Sequence, residues 1–137
     1  MEMLPSGLPE QVSDGESLAR FLTQSSHFNT VMVKPAAFLP NPKNGQTSVF
    51  RQGNESQEAL WQVAREQVAG ERNIHGVAIF KAQHVREVQL DVAAQEPPPR
   101  HANIIGWPSD TSDPEEGKAK RKALAMAIAQ HAELLRR

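Results

Sequence analysis

The 137-residue sequence contains no cysteine and no tyrosine, and aromatic residues make up only 5% of it. The absence of cysteine excludes disulfides, thiolate metal ligands and cysteine nucleophiles. Because aromatic residues are few, the hydrophobic fraction of 39% consists mainly of aliphatic side chains and alanine. A cysteine-free chain fits a reducing compartment, and we predict a cytoplasmic protein.

Charge and hydrophobicity are both spread along the chain. Fifteen basic residues oppose sixteen acidic ones, which gives a net charge of -1. The whole chain therefore lacks the basic excess that is typical of nucleic-acid-binding domains. No apolar run approaches the roughly 18 residues of a membrane span, and the N-terminus has no signal-peptide pattern. We expect no membrane partner.

The sequence also lacks the known phosphate-binding and nucleophile motifs. It has neither a G-x-G-x-x-G nor a Walker loop, which disfavours an ATP or dinucleotide enzyme. It has no G-x-S-x-G and no S-x-x-K pattern, so Ser25, Ser26 and Ser48 are interpreted as capping and turn hydroxyls. We predict no cofactor and no metal.

The length of the chain suits one domain. Residues 1–12 contain interleaved proline and glycine and are predicted to form an irregular leader. Residues 13–137 are predicted to form a single α+β domain, in which about three helices pack on a short mixed or antiparallel sheet. The C-terminal helix is expected to close the core.

Helix signals occur in four places. Residues 13–16 match a capping box before an apolar stripe, which predicts a first helix ending near residue 25. A capped amphipathic pattern predicts a second helix over 54–69, with Gly70 as its stop. Residues 81–89 look helical by composition. An Asp-Pro pair at 113–114 predicts the start of a last helix that runs almost to the C-terminus.

Strand signals are shorter than the helix signals. Residues 30–34 and 47–51 are rich in β-branched side chains and are predicted strands. The run 77–80 fits either a strand or a buried helical turn, because periodicity does not separate the two in short apolar runs. Residues 90–92 are predicted to form a brief strand.

The stretch from Pro97 to Pro108, which we call the 97–108 segment, has the most constrained sequence in the chain. Its three consecutive prolines predict a stiff polyproline II entry. If the chain continues extended, a period of two places His101, Asn103 and Ile105 on one face. The segment is therefore the leading candidate for a functional surface.

Two hypotheses follow for function. The first is a small interaction or accessory module of a bacterial or phage-type assembly, which binds a protein partner through Trp107, Pro98 and Pro99. An aromatic side chain beside rigid prolines loses little entropy on binding. This hypothesis also rests on the missing nucleophile and cofactor motifs.

The alternative is a small metal-independent enzyme or a nucleotide- or phosphate-binding domain. Its acid/base residues would be His101, His27 and His75, and its ligand-binding residues would be Arg100, Asn103, Arg51 and Lys34. A three-histidine metal site is a weaker option, because these histidines lack ligand spacing. The basic cluster at 118–122 is interpreted as a solvated helix face, and nucleic-acid binding has little support.

Overall fold

The computed structural model describes residues 3–53, 55–69, 74–109 and 113–136. Within these ranges the chain forms a six-stranded antiparallel sheet and three α-helices. The strands follow the spatial order β4-β5-β2-β1-β3-β6. Their bounds are β1 (Ser17–Leu22), β2 (Thr47–Arg51), β3 (Gly76–Lys81), β4 (Asp91–Ala94), β5 (His101–Ile105) and β6 (Glu133–Arg136). The predicted single α+β domain is confirmed, and of the two predicted sheet types, mixed or antiparallel, the structure has the antiparallel one.

The helices lie in the connections between strands. They are α1 (Gln57–Val63), which continues as a π-helical turn over Ala64–Ala69, α2 (Ala82–Arg86) and α3 (Pro114–Ala129). Two short 3-10 turns cover Ser25–His27 and Pro35–Ala37. None of the helices in the described ranges is both long and apolar enough to cross a membrane.

The sheet has a hydrophobic core on each face. The first core contains Leu18 and Val49 from the central strands together with Phe38, Phe80 and Ile128. The second core packs α1 against the opposite face, and its buried members are Ala19, Phe21, Phe50, Leu60, Ala64, Ile74 and Val77. The sheet is therefore covered on both sides along its central strands.

The helix predicted from the capping box at 13–16 is wrong, because this region forms β1. Leu18 and Leu22 belong to the first core, whereas Ala19 and Phe21 belong to the second. A strand that is buried on both faces shows no polar alternation, so its apolar residues also fit a helical stripe. Glu16 does not cap a helix; it pairs with Arg51 of β2.

Of the other secondary-structure predictions, some are confirmed and one is wrong. The strand over 47–51 and helical structure within 81–89 are confirmed, and 76–81 is a strand. The predicted strand at 30–34 is wrong, since only Val33 forms a single bridge, to Phe28, before the 3-10 turn. The second helix is capped by the Ser56 hydroxyl, which accepts from the Ala59 amide. Asn54 and Gly70, predicted as its cap and stop, lie outside the described residues.

The last helix begins as predicted but ends earlier. The Asp113 carboxylate accepts hydrogen bonds from the amides of Glu115 and Glu116. The helix ends at Ala129, and residues 133–136 then pair with β3 instead of continuing the helix. The outer edge of β3 offers unpaired backbone groups, and pairing satisfies them.

The proline run differs from the predicted polyproline entry. Residues 97–100 form bends and a turn, closed by a 3.2 Å hydrogen bond from the His101 amide to the Pro98 carbonyl. The Glu96–Pro97 and Pro97–Pro98 peptides are cis. This turn reverses the chain, so that β4 and β5 lie side by side as antiparallel strands. Beyond the turn, β5 runs extended as predicted.

Candidate functional site

A cavity of about 490 Å³ opens where the 97–108 segment meets α3 and the loop before β2. We call it the Trp107 groove. Its lining comprises Leu39, Pro40, Asn41, Pro42, Gly45, Trp107, Pro108, Ser109, Lys118, Arg121 and Lys122. Three prolines, one leucine and the indole form apolar walls, and three basic residues come from one helix.

Trp107 is held at the edge of the first core. Gly106 precedes it with φ +91, a left-handed conformation that turns the chain away from β5 and that glycine adopts without a steric cost. The indole is half-buried and packs against the core. Its Nε1 is buried and has no hydrogen-bond partner among the described residues. A buried unpaired donor of this kind typically costs about 1–3 kcal/mol.

The cations of the groove come from the first half of α3. Lys118, Arg121 and Lys122 are spaced i, i+3 and i+4, so they project from one side of the helix. Arg121 also donates a 3.1 Å hydrogen bond to the Pro108 carbonyl, which fixes the helix against the 97–108 segment. Lys120, on another side, pairs with Glu116 at 3.1 Å. The basic cluster is therefore divided between solvent and the groove.

His101 occupies a second polar site, on the sheet face that carries the second core. Its Nε2 lies 2.7 Å from the Ser48 hydroxyl, and its Nδ1 lies 2.9 Å from the Gln95 carbonyl oxygen. A carbonyl only accepts, so Nδ1 carries the proton and Nε2 accepts from the serine. The imidazole also contacts the Phe50 ring, with centroids 5.4 Å apart. This arrangement can activate a serine hydroxyl.

Asn103 lies next to this pair on β5. Its side chain is almost fully buried, and its amide nitrogen donates to the side-chain oxygen of Gln95. His101, Asn103 and Ile105 share one face of β5, as the period of two predicts. Asn103 therefore binds the side chain of the residue whose backbone carbonyl contacts His101.

The other two predicted acid/base histidines lie elsewhere. His75 is exposed, and its ring centroid lies 6.1 Å from that of Phe28. His27 lies in the 3-10 turn just before Phe28. Burial, and secondarily the nearby Arg20 charge, lower the pKa of His27 from its ordinary value. No hydrogen bond or ring contact among the described residues joins His27, His75 and His101 to one another.

The predicted ligand-binding arginines already bind groups of the protein. Arg51 is completely buried, and its guanidinium donates to both Glu16 carboxylate oxygens at 2.5 and 2.7 Å. It also donates to the Pro9 carbonyl at 2.6 Å. Ligand binding by Arg51 would require this pair to open.

Arg100 donates to two backbone carbonyls, those of Arg51 at 2.9 Å and Gln52 at 2.6 Å. Lys34 is exposed beside the 3-10 turn over 35–37. The predicted contact residues Pro98 and Pro99 precede β5, whereas Trp107 follows it. The five residues of β5 separate them by roughly 17 Å of extended chain.

Sequence reasoning missed two features of these sites. Ser48 is predicted to be a structural hydroxyl, but in the structure it contacts His101. The sequence does not show this contact, because it joins strands far apart in sequence. The i, i+3, i+4 spacing within 118–122 was visible, but the cavity beside it was not. No protein-family model, curated protein or solved structure matches this chain, so its geometry alone supports a function.

Proposed function

We propose that this protein is a binding module whose Trp107 groove takes an acidic segment of a partner protein. The observation that carries the proposal is the meeting of apolar walls and three α3 cations in one cavity. An apolar side chain of the partner would lie against Trp107 and the prolines. Its flanking carboxylates would pair with Lys118 and Lys122.

Charge supports an acidic partner. The whole protein has a net charge of -1, so a cavity with three basic residues departs from the average surface. Complementary charge steers association and selects partners more than it adds affinity. The apolar contacts with the indole would supply most of the binding free energy, because tryptophan is enriched among hot spots.

A peptide fits the groove better than a nucleic acid does. Single-stranded nucleic acids need aromatic platforms that stack successive bases. Trp107 is the only aromatic residue among the described residues of the lining, and its ring packs partly against the first core. Three prolines offer a flat apolar wall instead.

The wider proposal keeps three expectations from the sequence. These are an accessory role in a bacterial or phage-type assembly, a cytoplasmic location, and a core closed by α3. The burial of Ala125, Ile128 and Ala129 supports the last of these. If α3 closes the core, the same helix presents the basic wall of the groove on its other side.

The test uses a displayed library of short peptides with an apolar centre and acidic flanks, measured by fluorescence polarisation against the full chain. We expect Trp107→Ala to weaken the selected peptide by about 2 kcal/mol or more, the scale of a hot spot. Lys118→Gln with Lys122→Gln should weaken binding in a salt-dependent way. Lys120→Gln, on the same helix but outside the groove, is the matched control.

Two outcomes would contradict the proposal. One is peptide binding that survives both Trp107→Ala and the double lysine variant. The other is failure of acidic peptides to bind while a single-stranded oligonucleotide does, which would indicate a nucleic-acid module.

A second candidate function rests on the 2.7 Å contact between Ser48 Oγ and His101 Nε2. In this hypothesis Ser48 attacks an acyl carbon and passes its proton to His101, which returns it to the leaving group. Water then hydrolyses the acyl-serine. The Gln95 carbonyl holds Nδ1–H, so the imidazole keeps the required tautomer.

Covalent labelling tests this candidate. An organophosphonate probe should add to Ser48, as located by mass spectrometry, and His101→Gln should suppress the addition. Ser26→Ala, which alters an exposed serine, is the control for nonspecific labelling. Absence of label on Ser48, or equal labelling of the His101→Gln variant, would remove the hydrolase hypothesis.

A further inference from the structure

Away from the Trp107 groove and the Ser48–His101 pair, two other histidines and a glutamate come together. His84 and Glu87 lie on and just after α2, and His131 lies in the turn after α3. One ligand atom from each residue lies within 4.8 Å of the other two. His84 Nδ1 and Glu87 Oε1 are 4.0 Å apart. We infer that His84, Glu87 and His131 form a binding site for a divalent transition-metal ion of the Zn²⁺ class.

An unsatisfied atom supports this assignment independently of the spacing. His84 Nδ1 is buried and has no hydrogen-bond partner among the described residues. Buried polar atoms in proteins are usually paired, so an unpaired imidazole nitrogen calls for an explanation. A metal ion bound at Nδ1 would satisfy it.

The surroundings of His84 disfavour the protonated form of its imidazole. Burial, followed by the neighbouring charges of His131 and Lys81, lowers the pKa of His84, while Glu87 opposes the shift. A neutral imidazole has a free lone pair, whereas an imidazolium does not. Lys81 works against a bound cation, because its positive charge also acts at this site.

The chemistry of the ligands favours Zn²⁺ over Ca²⁺ or Mg²⁺. Two imidazoles and one carboxylate are ligands that Zn²⁺ prefers, whereas the alkaline-earth ions favour sites built of oxygen alone. Three protein ligands leave a fourth tetrahedral position for water. Because the ligands come from α2 and from the turn after α3, a bound ion would tie these two parts of the chain together.

Binding needs a small local rearrangement. The rings of His84 and His131 are stacked, with centroids 4.1 Å apart and planes inclined by 1°. A metal ion lies in the plane of each ligating ring, so two parallel rings do not share it without turning. His131 is exposed, and the torsion that turns a histidine ring has broad minima. Tetrahedral ligation at about 2.0 Å would draw the ligand atoms to roughly 3.3 Å from one another.

The experiment titrates the metal-free full chain with Zn²⁺ by calorimetry and with Co²⁺ by visible absorption. We expect one ion per chain, a tetrahedral Co²⁺ spectrum and a thermal midpoint that rises with metal concentration. His131→Ala should weaken affinity roughly tenfold or more, as should Glu87→Gln. His75→Ala, another exposed histidine, is the matched control and should leave affinity unchanged.

A variant at Lys81 tests the electrostatic part of the inference. Lys81→Met removes the opposing cation and should tighten Zn²⁺ binding without adding a ligand. Circular dichroism of each metal-free variant checks that it is folded. The inference is overturned if the wild type binds no ion, or if His131→Ala and Glu87→Gln bind Zn²⁺ as tightly as the wild type does.

Discussion

The two ends of the 97–108 segment carry chemically rich residues in opposite situations. At the first end, Arg100 donates to the carbonyls of Arg51 and Gln52, and His101 has both ring nitrogens in hydrogen bonds. At the second end, Trp107 borders a cavity, and its indole Nε1 has no partner among the described residues. At the first end the polar groups are hydrogen-bonded to other groups of the protein, whereas the second end, which we call the open end, borders a cavity.

The comparison shows that residue type does not by itself identify a binding group. Arginine is the side chain best suited to clamp a phosphate or carboxylate. In this protein, however, Arg51 and Arg100 bind Glu16 and backbone carbonyls, which stabilises the fold. The cations beside the cavity come instead from the helix whose charges looked merely solvated. Four predictions test this division between structural and available groups.

The largest effect is expected at Arg51. Replacing it with methionine leaves the Glu16 carboxylate, whose side chain is 11% exposed, without its partner. Removing one member of a buried pair typically costs about 3–5 kcal/mol, measured here as the free energy of unfolding in urea. Arg65→Met, at an exposed position of the π-helical turn that follows α1, should change stability by less than about 0.5 kcal/mol. A double variant, Arg51→Met with Glu16→Leu, should recover much of the loss, and a small effect of Arg51→Met alone would contradict a structural role.

Arg100 provides a second test, because it combines backbone bonds with a φ of 70. Arg100→Ala removes hydrogen bonds from a charged donor to two carbonyls, at a cost of about 1–3 kcal/mol. Arg100→Gly loses the same bonds but relieves the left-handed conformation, which costs a residue with a Cβ about 1–2 kcal/mol. The glycine variant should therefore be more stable than the alanine variant in urea denaturation. Equal stability would show that the backbone relaxes when the side chain is removed.

The open end should behave differently. Lys118 and Lys122 are exposed residues of α3. Replacing either with glutamine removes the charge and changes the helix propensity little. We expect the free energy of unfolding to change by less than about 0.5 kcal/mol for each, the range of ordinary surface substitutions. Thermal and urea unfolding check this. A loss comparable to that of Arg100→Ala would place these lysines among the structural residues.

The smallest effect concerns pH and the half-buried His27. Burial lowers its pKa below the ordinary 6.5, so the unfolded chain takes up this proton more readily than the folded protein. The free energy of unfolding should therefore fall as pH falls through 6.5, and the penalty should vanish above that value. His27→Gln should flatten this dependence, because the group whose pKa is lowered is then gone. His75→Gln is the control, and an identical slope in wild type and His27→Gln would contradict the prediction.

Some local signals in the sequence predicted the structure correctly, because the interactions they reflect span only a few residues. Asp113 before Pro114 predicted the start of α3, because the carboxylate binds amides only two and three residues away. The β-branched run at 47–51 and the alternation along β5 were equally local. The strand β1 was predicted as a helix, because burial on both faces removes the alternation that marks a strand. Its burial depends on neighbours from distant parts of the chain.

The sequence alone determined the composition, the α+β class, the Asp113 cap of α3 and the face of β5 that carries His101 and Asn103. Each of these follows from charge counts or from contacts within one or two turns of chain. Only the tertiary structure decided that Arg51 is buried against Glu16, that Ser48 meets His101, and that Trp107 borders a cavity beside α3. These contacts join residues far apart in sequence, and no local pattern encodes which strand pairs with which or what a side chain faces once both cores have formed.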